Sequence, residues 1–248
     1  ANQLVGKRTG LIYRYLRAQE EIPLSYFVFG PADISFSSKQ INGYFLIKKN
    51  GKEYWRKYKV PFPDVVYNRL PNRTVEKIPS VKRAKQGLEA SGVKLFNPNF
   101  FNKWTLHKQI HQVKKIGAYM PETILRPTVD QLKELLHRYK MVYLKPAGGS
   151  LGLGIFQLYQ TKQGIVARFR GNKHNQLKRF PNLSAALSYL FSSRSITRYI
   201  AQQGIRLIKI NNRSVDFRIH TNKDRYGNWQ MTAAAAKMAG KGSVTTHM

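Results

Sequence analysis

The run Met141–Phe156, MVYLKPAGGSLGLGIF, constrains this 248-residue chain more than any other stretch. An apolar strand, Val142 to Leu144, ends in Lys145-Pro146; glycines follow at 148, 149, 152 and 154, and a second apolar run starts at Ile155. Glycines let backbone N–H groups approach an anion closely and adopt dihedrals closed to other residues. A lysine followed by such a loop therefore points to phosphate. Context excludes two common phosphate loops. A Walker loop sets Gly-Lys-Ser/Thr at a helix N-terminus, and here no lysine follows the glycines. A dinucleotide fingerprint also opens a helix, with an acidic partner about 20 residues on. This loop joins two strands, and no carboxylate occurs between Glu134 and Asp216. What remains is a glycine-rich loop at the tip of a sheet, with Lys145 beneath it.

Charge agrees with an anionic ligand. The chain carries 43 Lys and Arg against 12 Asp and Glu, a formal charge of +31, which predicts attraction to nucleotides, nucleic acid, anionic polymers or acidic protein surfaces. Positions 162 to 213 hold many of these cations and no acid, and Arg168 and Arg170 share one face of a strand. With no cysteine, disulfide frameworks, thiolate nucleophiles and zinc-finger patterns are excluded. Nothing near Ala1 reads as a signal peptide, and no run reaches the roughly 18 apolar residues of a membrane span; the expectation is a soluble protein of the cytoplasm. His107 and His111 have the i, i+4 spacing used for metal, but no nearby carboxylate completes a site, so structural or surface roles are expected and no metal ligand is assigned.

Length allows two small domains or one large one. Residues 24–70 hold short β-rich runs, Leu24 to Phe29, Gly43 to Lys48 and Glu53 to Val60, broken by Gly30-Pro31 and by the turn Asn50-Gly51. Pro63 to Arg69 reads as a buried strand and Thr74 to Ala90 as a basic helix, together a βα unit. From Asn102 the period changes. Leu106, Ile110, Val113 and Ile116 fall on one helical face, with Asn102 as cap and Gly117 as stop. Thr128 caps a second helix carrying Leu132, Leu135, Leu136 and Tyr139. Beyond the glycines come a hairpin (Ile155 to Tyr159, Ile165 to Phe169), a short helix opened by Asn182 or Ser184, and strands near Tyr199, at 215–221 and at 229–236.

Several of these segments, in order, resemble the ATP-grasp superfamily: Asn102-Lys103-Trp104, Pro121-Glu122-Thr123, the Lys145 run, Ala201 to Ile205 and Val215 to Ile219. With Phe62 to Arg69 and Gly242 to His247 added, the chain from about residue 24 is similar to the YheC/YheD family of endospore coat-associated ATP-grasp proteins. The resemblance implies an α+β ATP-grasp fold at 96–248, preceded by a β-rich and βα pre-ATP-grasp region at 1–95. It implies ATP as ligand, with Mg²⁺ expected for a complete protein. It also implies activation of an unknown carboxylate for attack by an amine or similar nucleophile, with spore coat association. By position, Lys103 and Lys145 match lysines that contact nucleotide phosphates; Gly148, Gly149, Ser150, Gly152 and Gly154 match the phosphate loop. Gln202, Gln203, Gly204 and Ile205 match the hinge that reads adenine, and Arg218 matches an arginine that clamps the transferring phosphate. A competing expectation is a non-catalytic basic scaffold that keeps the fold and binds anionic polymer or coat partners.

The pattern also departs from the family. From residue 135 onward the carboxylates are Asp216 and Asp224, too few for an oxygen-ligand Mg²⁺ site. Arg206 stands after the hinge, where ATP-grasp proteins often place an acid against the ribose. The expectation is a C-terminal lobe that is incomplete in this chain.

Overall fold

The computed structural model describes residues 9–20, 24–149, 152–171 and 174–246. It divides into two compact units, Ala1–Phe100 and Phe101–Met248.

In the first unit, helix α1 (Thr9–Arg17) is followed by strands β1 (Ile34–Ser35), β2 (Gln40–Lys49) and β3 (Lys52–Pro61) in one antiparallel sheet. The β2–β3 hairpin turns at Asn50-Gly51, both with positive φ (51° and 72°), as a tight primed turn requires. Leu24 to Phe29, expected as a strand, pairs among described residues only through a bridge between Val28 and Tyr44. The expected βα unit closes into a parallel crossover. Strand β4 (Val65–Tyr67) leads through helices α2 (Arg73–Glu76) and α3 (Pro79–Ala90) to β5 (Lys94–Phe96), and Pro79 breaks the basic helix in two. The expectation of a buried strand at Pro63 to Arg69 is corrected. A two-stranded ribbon has free edges, and Val65 remains 58% exposed.

The second unit begins with α4 (Lys103–His111) and α5 (Lys114–Gly117). The single helix expected here is interrupted at Gln112-Val113, and its apolar face does not form a core: Leu106, Val113 and Ile116 are exposed, whereas His107 is buried. The chain doubles back so closely that a Cβ at Gly117 would lie 2.4 Å from the His111 carbonyl oxygen. Asn102 caps α4 as expected, its Oδ1 accepting from the Trp104 N–H at 2.9 Å.

The core lies under a six-stranded sheet in the order β10-β9-β8-β7-β11-β6. Its strands are β6 (Thr123–Leu125), β7 (Met141–Pro146), β8 (Phe156–Thr161), β9 (Gly164–Arg170), β10 (Asn175–Phe180) and β11 (Tyr199–Gln203). Helices α6 (Val129–Tyr139) and α7 (Leu183–Leu190) cover one face. The caps at Thr128 and Asn182 and the stripe Leu132, Leu135, Leu136 stand as the sequence predicts. Strand β10 is missed by the sequence reading, because its polar composition, NQLKRF, gives no apolar alternation. Alternate residues Val142, Leu144, Leu158, Ala167 and Ala201 pack on the helices with essentially no exposure. Leu135 is wholly enclosed among them, so Leu135→Ala leaves a cavity that little can collapse to fill. Urea unfolding of this unit is expected to show a loss of about 2–5 kcal/mol.

A second antiparallel sheet follows: β12 (Lys209–Ile210), β13 (Arg213–Lys223) and β14 (Trp229–Met238).

Candidate functional site

Strands alternate their side chains, so a sheet with helices on one face presents the other set together. Register aligns Thr123, Gln202, Tyr143, Gln157, Arg168 and Leu177 as one row across β6, β11, β7, β8, β9 and β10. Gln202, Tyr143, Gln157, Arg168 and Leu177 of this row form part of the wall of a cleft of about 820 Å³, toward the upper end of the roughly 300–1,000 Å³ usual for ligand sites. The second sheet contributes Lys209, Arg213 and Asp216 to the same cleft, and the segment after β14 contributes Gly242 to Thr246.

Lys145 lies two residues beyond Tyr143 on the same face of β7, lining the cleft. Its Nζ donates to Gln202 Oε1 at 2.5 Å and sits 5.1 Å from the centre of the Tyr143 ring. Gln202 is fixed in turn, its Nε2 donating to Thr123 Oγ1 at 2.9 Å. Burial, with the nearby Lys103 cation adding to it, pulls the Lys145 ammonium down to about 8. The protein supplies this cation with a neutral amide acceptor and an aromatic face. Burial and the Coulombic effect of Tyr159 push the Tyr143 phenol up to about 12, so it stays protonated, and Gln157 Nε2 donates to its oxygen at 2.5 Å.

Lys103 opens α4 but turns its amine onto the glycine loop. Its Nζ donates to the Pro146 carbonyl at 3.0 Å and to the Gly149 carbonyl, while its own backbone N–H donates to Ala147 O at 3.1 Å. One residue thus grips three carbonyls where strand β7 becomes the loop. Gly152 and Gly154 have φ of 71° and 69°, conformations that side chains with a Cβ rarely adopt. Gly148 and Gly149 lie in the same loop; Ser150 lies outside the described residues.

Gln203, Gly204 and Ile205 follow Gln202 directly. The Gln203 N–H donates to Glu122 O at 2.8 Å, Glu122 N–H donates back to Gln203 Oε1 at 3.1 Å, and Gly204 N–H donates to Met141 O at 2.9 Å. A Cβ on Gly204 would lie 2.5 Å from Met141 Cγ, so glycine is required for this close passage. Ile205 is exposed and lines the cleft.

Arg218 is not among the residues lining this cleft. It is exposed on β13 and lines a smaller neighbouring hollow of about 380 Å³ that shares Asp216 and Thr246 with the main cleft. Asp216 is cross-strand from Lys237 and accepts a hydrogen bond from Thr246 Oγ1 at 2.5 Å. Sequence reasoning gives Tyr143 and Gln157 no role and places Lys209 and Arg213 only within the basic stretch 162–213. The signal for the first two was present, as polar residues alternating with core residues on β7 and β8. Arg168 had been grouped with a basic surface, but it belongs to the cleft.

A half-buried ammonium that faces a cleft from the strand leading into a glycine loop fits a polyphosphate ligand, whose oxygens would give it a charged partner. A protein-held Mg²⁺ does not fit equally well. Asp216 is the carboxylate lining the cleft, and no group of three His, Cys, Asp or Glu side chains with metal-binding geometry occurs among the described residues. His107 is buried, stacks on Trp104 with centroids 5.7 Å apart, and is held below the usual histidine range by burial and by His111.

The chain is 39% identical over 228 residues to the endospore coat-associated protein YheD of Bacillus subtilis (strain 168), covering 90% of this chain and 49% of that protein. It is 24% identical over 221 residues to the endospore coat-associated protein YheC of the same organism, covering 88% and 59%. The chain thus spans about half the length of the curated relatives it matches. A solved structure of the ATP-grasp ligase PsnB complexed with minimal precursor aligns over 94% of this chain and 72% of that one, at 12% identity and a TM-score of 0.36. Residues 92–248 match the family described as YheC/D like ATP-grasp, and that span contains the six-stranded sheet, the glycine loop and the cleft. The chain belongs to the YheC/D-like ATP-grasp family and has its α+β fold.

Proposed function

We propose that the chain binds ATP in this cleft and provides the nucleotide-holding part of an ATP-dependent ligase of unknown substrate that is associated with the spore coat, as the names of its relatives state of them. In such a reaction a carboxylate oxygen takes the γ-phosphoryl group, ADP leaves, and an amine or similar nucleophile displaces phosphate from the acyl phosphate. The observation that carries the ATP reading is Lys145, a half-buried cation facing the cleft with a neutral hydrogen-bond acceptor. Lys145 would meet the phosphates and Gly148, Gly149, Ser150, Gly152 and Gly154 would close over them. Gln202, Gln203, Gly204 and Ile205 would meet adenine, and Arg218 would clamp the γ-phosphate from the adjoining hollow.

Lys103 enters this reading as an anchor for the loop. Lys103→Ala should weaken ATP by roughly two- to tenfold, the effect of a lost hydrogen bond or two transmitted through loop order. Isothermal titration of ATP into the wild-type chain tests the proposal directly; absence of binding at millimolar ATP would remove it. A second reading, a scaffold that keeps the fold without catalysis, is favoured by one observation: among the described residues Asp216 alone supplies a carboxylate to the cleft.

A further inference from the structure

Four cations line the cleft, Lys145, Arg168, Lys209 and Arg213, against the carboxylate of Asp216. Arg213 is partly engaged, its Nε donating to Ala239 O at 2.6 Å. The Arg168 guanidinium makes no hydrogen bond or ion pair among the described residues, although the residue is half-buried in the cleft wall. Its position sets it apart from Lys145 and the residues proposed to meet adenine. Lys145 is on β7 and the hinge on neighbouring β11, whereas Arg168 is on β9, two strands from Lys145. At about 4.8 Å per strand, the two backbones stand roughly 10 Å apart. The reacting carboxylate of a ligase must lie at the γ-phosphate. A cation elsewhere in the same cleft therefore calls for a different anion.

We propose that Arg168, beside Gln157 and Tyr143, holds a second, non-reacting carboxylate of the acid substrate, so that the substrate class is a compound bearing several carboxylates, such as an acidic peptide. This rests on the reading of the cleft as an ATP site. The guanidinium fork matches a carboxylate with two parallel N–H donors. Gln157 and Tyr143 add neutral polar atoms in the adjoining positions of the same row. Lys209 gives the second wall of the cleft the same sign of charge.

The test is calorimetric titration of a tetraglutamate peptide into the chain saturated with ADP, with tetraglutamine as the uncharged control and pyrophosphate as the phosphate-bearing one. The expected result is binding of tetraglutamate, absent for tetraglutamine and weakened at least about tenfold by Arg168→Gln, with ADP affinity in that variant within about twofold of wild type. Arg168→Lys, which keeps the charge and loses the fork, should recover only part of the peptide affinity. Three results would each overturn the proposal. One is equal peptide binding by wild type and Arg168→Gln. Another is an Arg168→Gln loss confined to pyrophosphate. The third is a loss of ADP affinity in Arg168→Gln comparable with that in Lys145→Ala, which would assign the arginine to the nucleotide and leave the ATP reading intact. Failure of ADP to bind wild type would instead remove the ATP reading.

Discussion

ATP affinity is expected to fall about tenfold per pH unit as pH rises above about 8, and Lys145→Ala should abolish that dependence while weakening binding at neutral pH by about 1.5–3 kcal/mol, roughly 10- to 150-fold. The sign follows from which state holds the proton. In the free protein, burial and the Lys103 cation hold the Lys145 ammonium at about 8; the groups facing it, Gln202 and the Tyr143 ring, carry no negative charge. Polyphosphate oxygens would stabilise the ammonium and raise its pKa, so binding takes up a proton wherever the free lysine has lost one. At pH 8 the uptake should be about half a proton, visible as a binding enthalpy that changes with the ionisation heat of the buffer. Phosphate groups lose their last proton with a pKa near 6 and burial pushes the Tyr143 phenol up to about 12, so neither obscures the window. Folding stability should respond in the opposite direction. The unfolded lysine keeps its proton to about 10.4, so between pH 8 and that value the unfolded chain binds more protons and this residue makes the free fold more stable as pH rises. Affinity that is flat from pH 7 to 9.5 would mean that no phosphate reaches Lys145.

How much of this could be read from sequence depended on whether the deciding interaction was local. Thr128 and Asn182 could be recognised because a cap acts within its own first turn, and Asn50-Gly51 because a two-residue turn needs positive φ at both positions. The strand-to-strand nature of the glycine loop was equally local. The helix capped by Asn102 was legible, but its interruption at Gln112-Val113 was not, because periodicity shows that a face is apolar, not that the helix is continuous or that anything covers it. Leu106, Val113 and Ile116 carry the correct spacing and lie exposed. The row across the cleft was hidden for a further reason. Gln202, Tyr143, Gln157 and Arg168 become neighbours only through strand order β9-β8-β7-β11, which places residues far apart in sequence side by side. Family resemblance supplied Lys145 and Gln202 as separate matches; the hydrogen bond that joins them is a tertiary fact.

The other large effect concerns turnover. Phosphoryl transfer relies on metal ions that bridge phosphate oxygens and neutralise developing charge, and such ions need several oxygen ligands to compete with water. In this cleft the carboxylate among the described residues is Asp216, which already accepts from Thr246 Oγ1 and stands opposite Lys237 in the hairpin register, with Arg218 two residues along the same strand. A divalent cation entering here would meet one engaged carboxylate flanked by two positive side chains. Adding Mg²⁺ should therefore tighten ATP binding to these 248 residues by no more than about threefold, because the ion would be held chiefly by the phosphates, a contribution below ~1 kcal/mol from the protein. ADP release should stay at the level seen with Lys145→Ala, which serves as the control for contaminating ATPase. Asp216→Asn separates the possibilities further: if Asp216 is not a metal ligand, the variant should leave the small Mg²⁺ effect unchanged. Mg²⁺-dependent ADP release that disappears in both Lys145→Ala and Asp216→Asn would show instead that one carboxylate suffices, and that the surrounding cations assist transfer rather than exclude the ion.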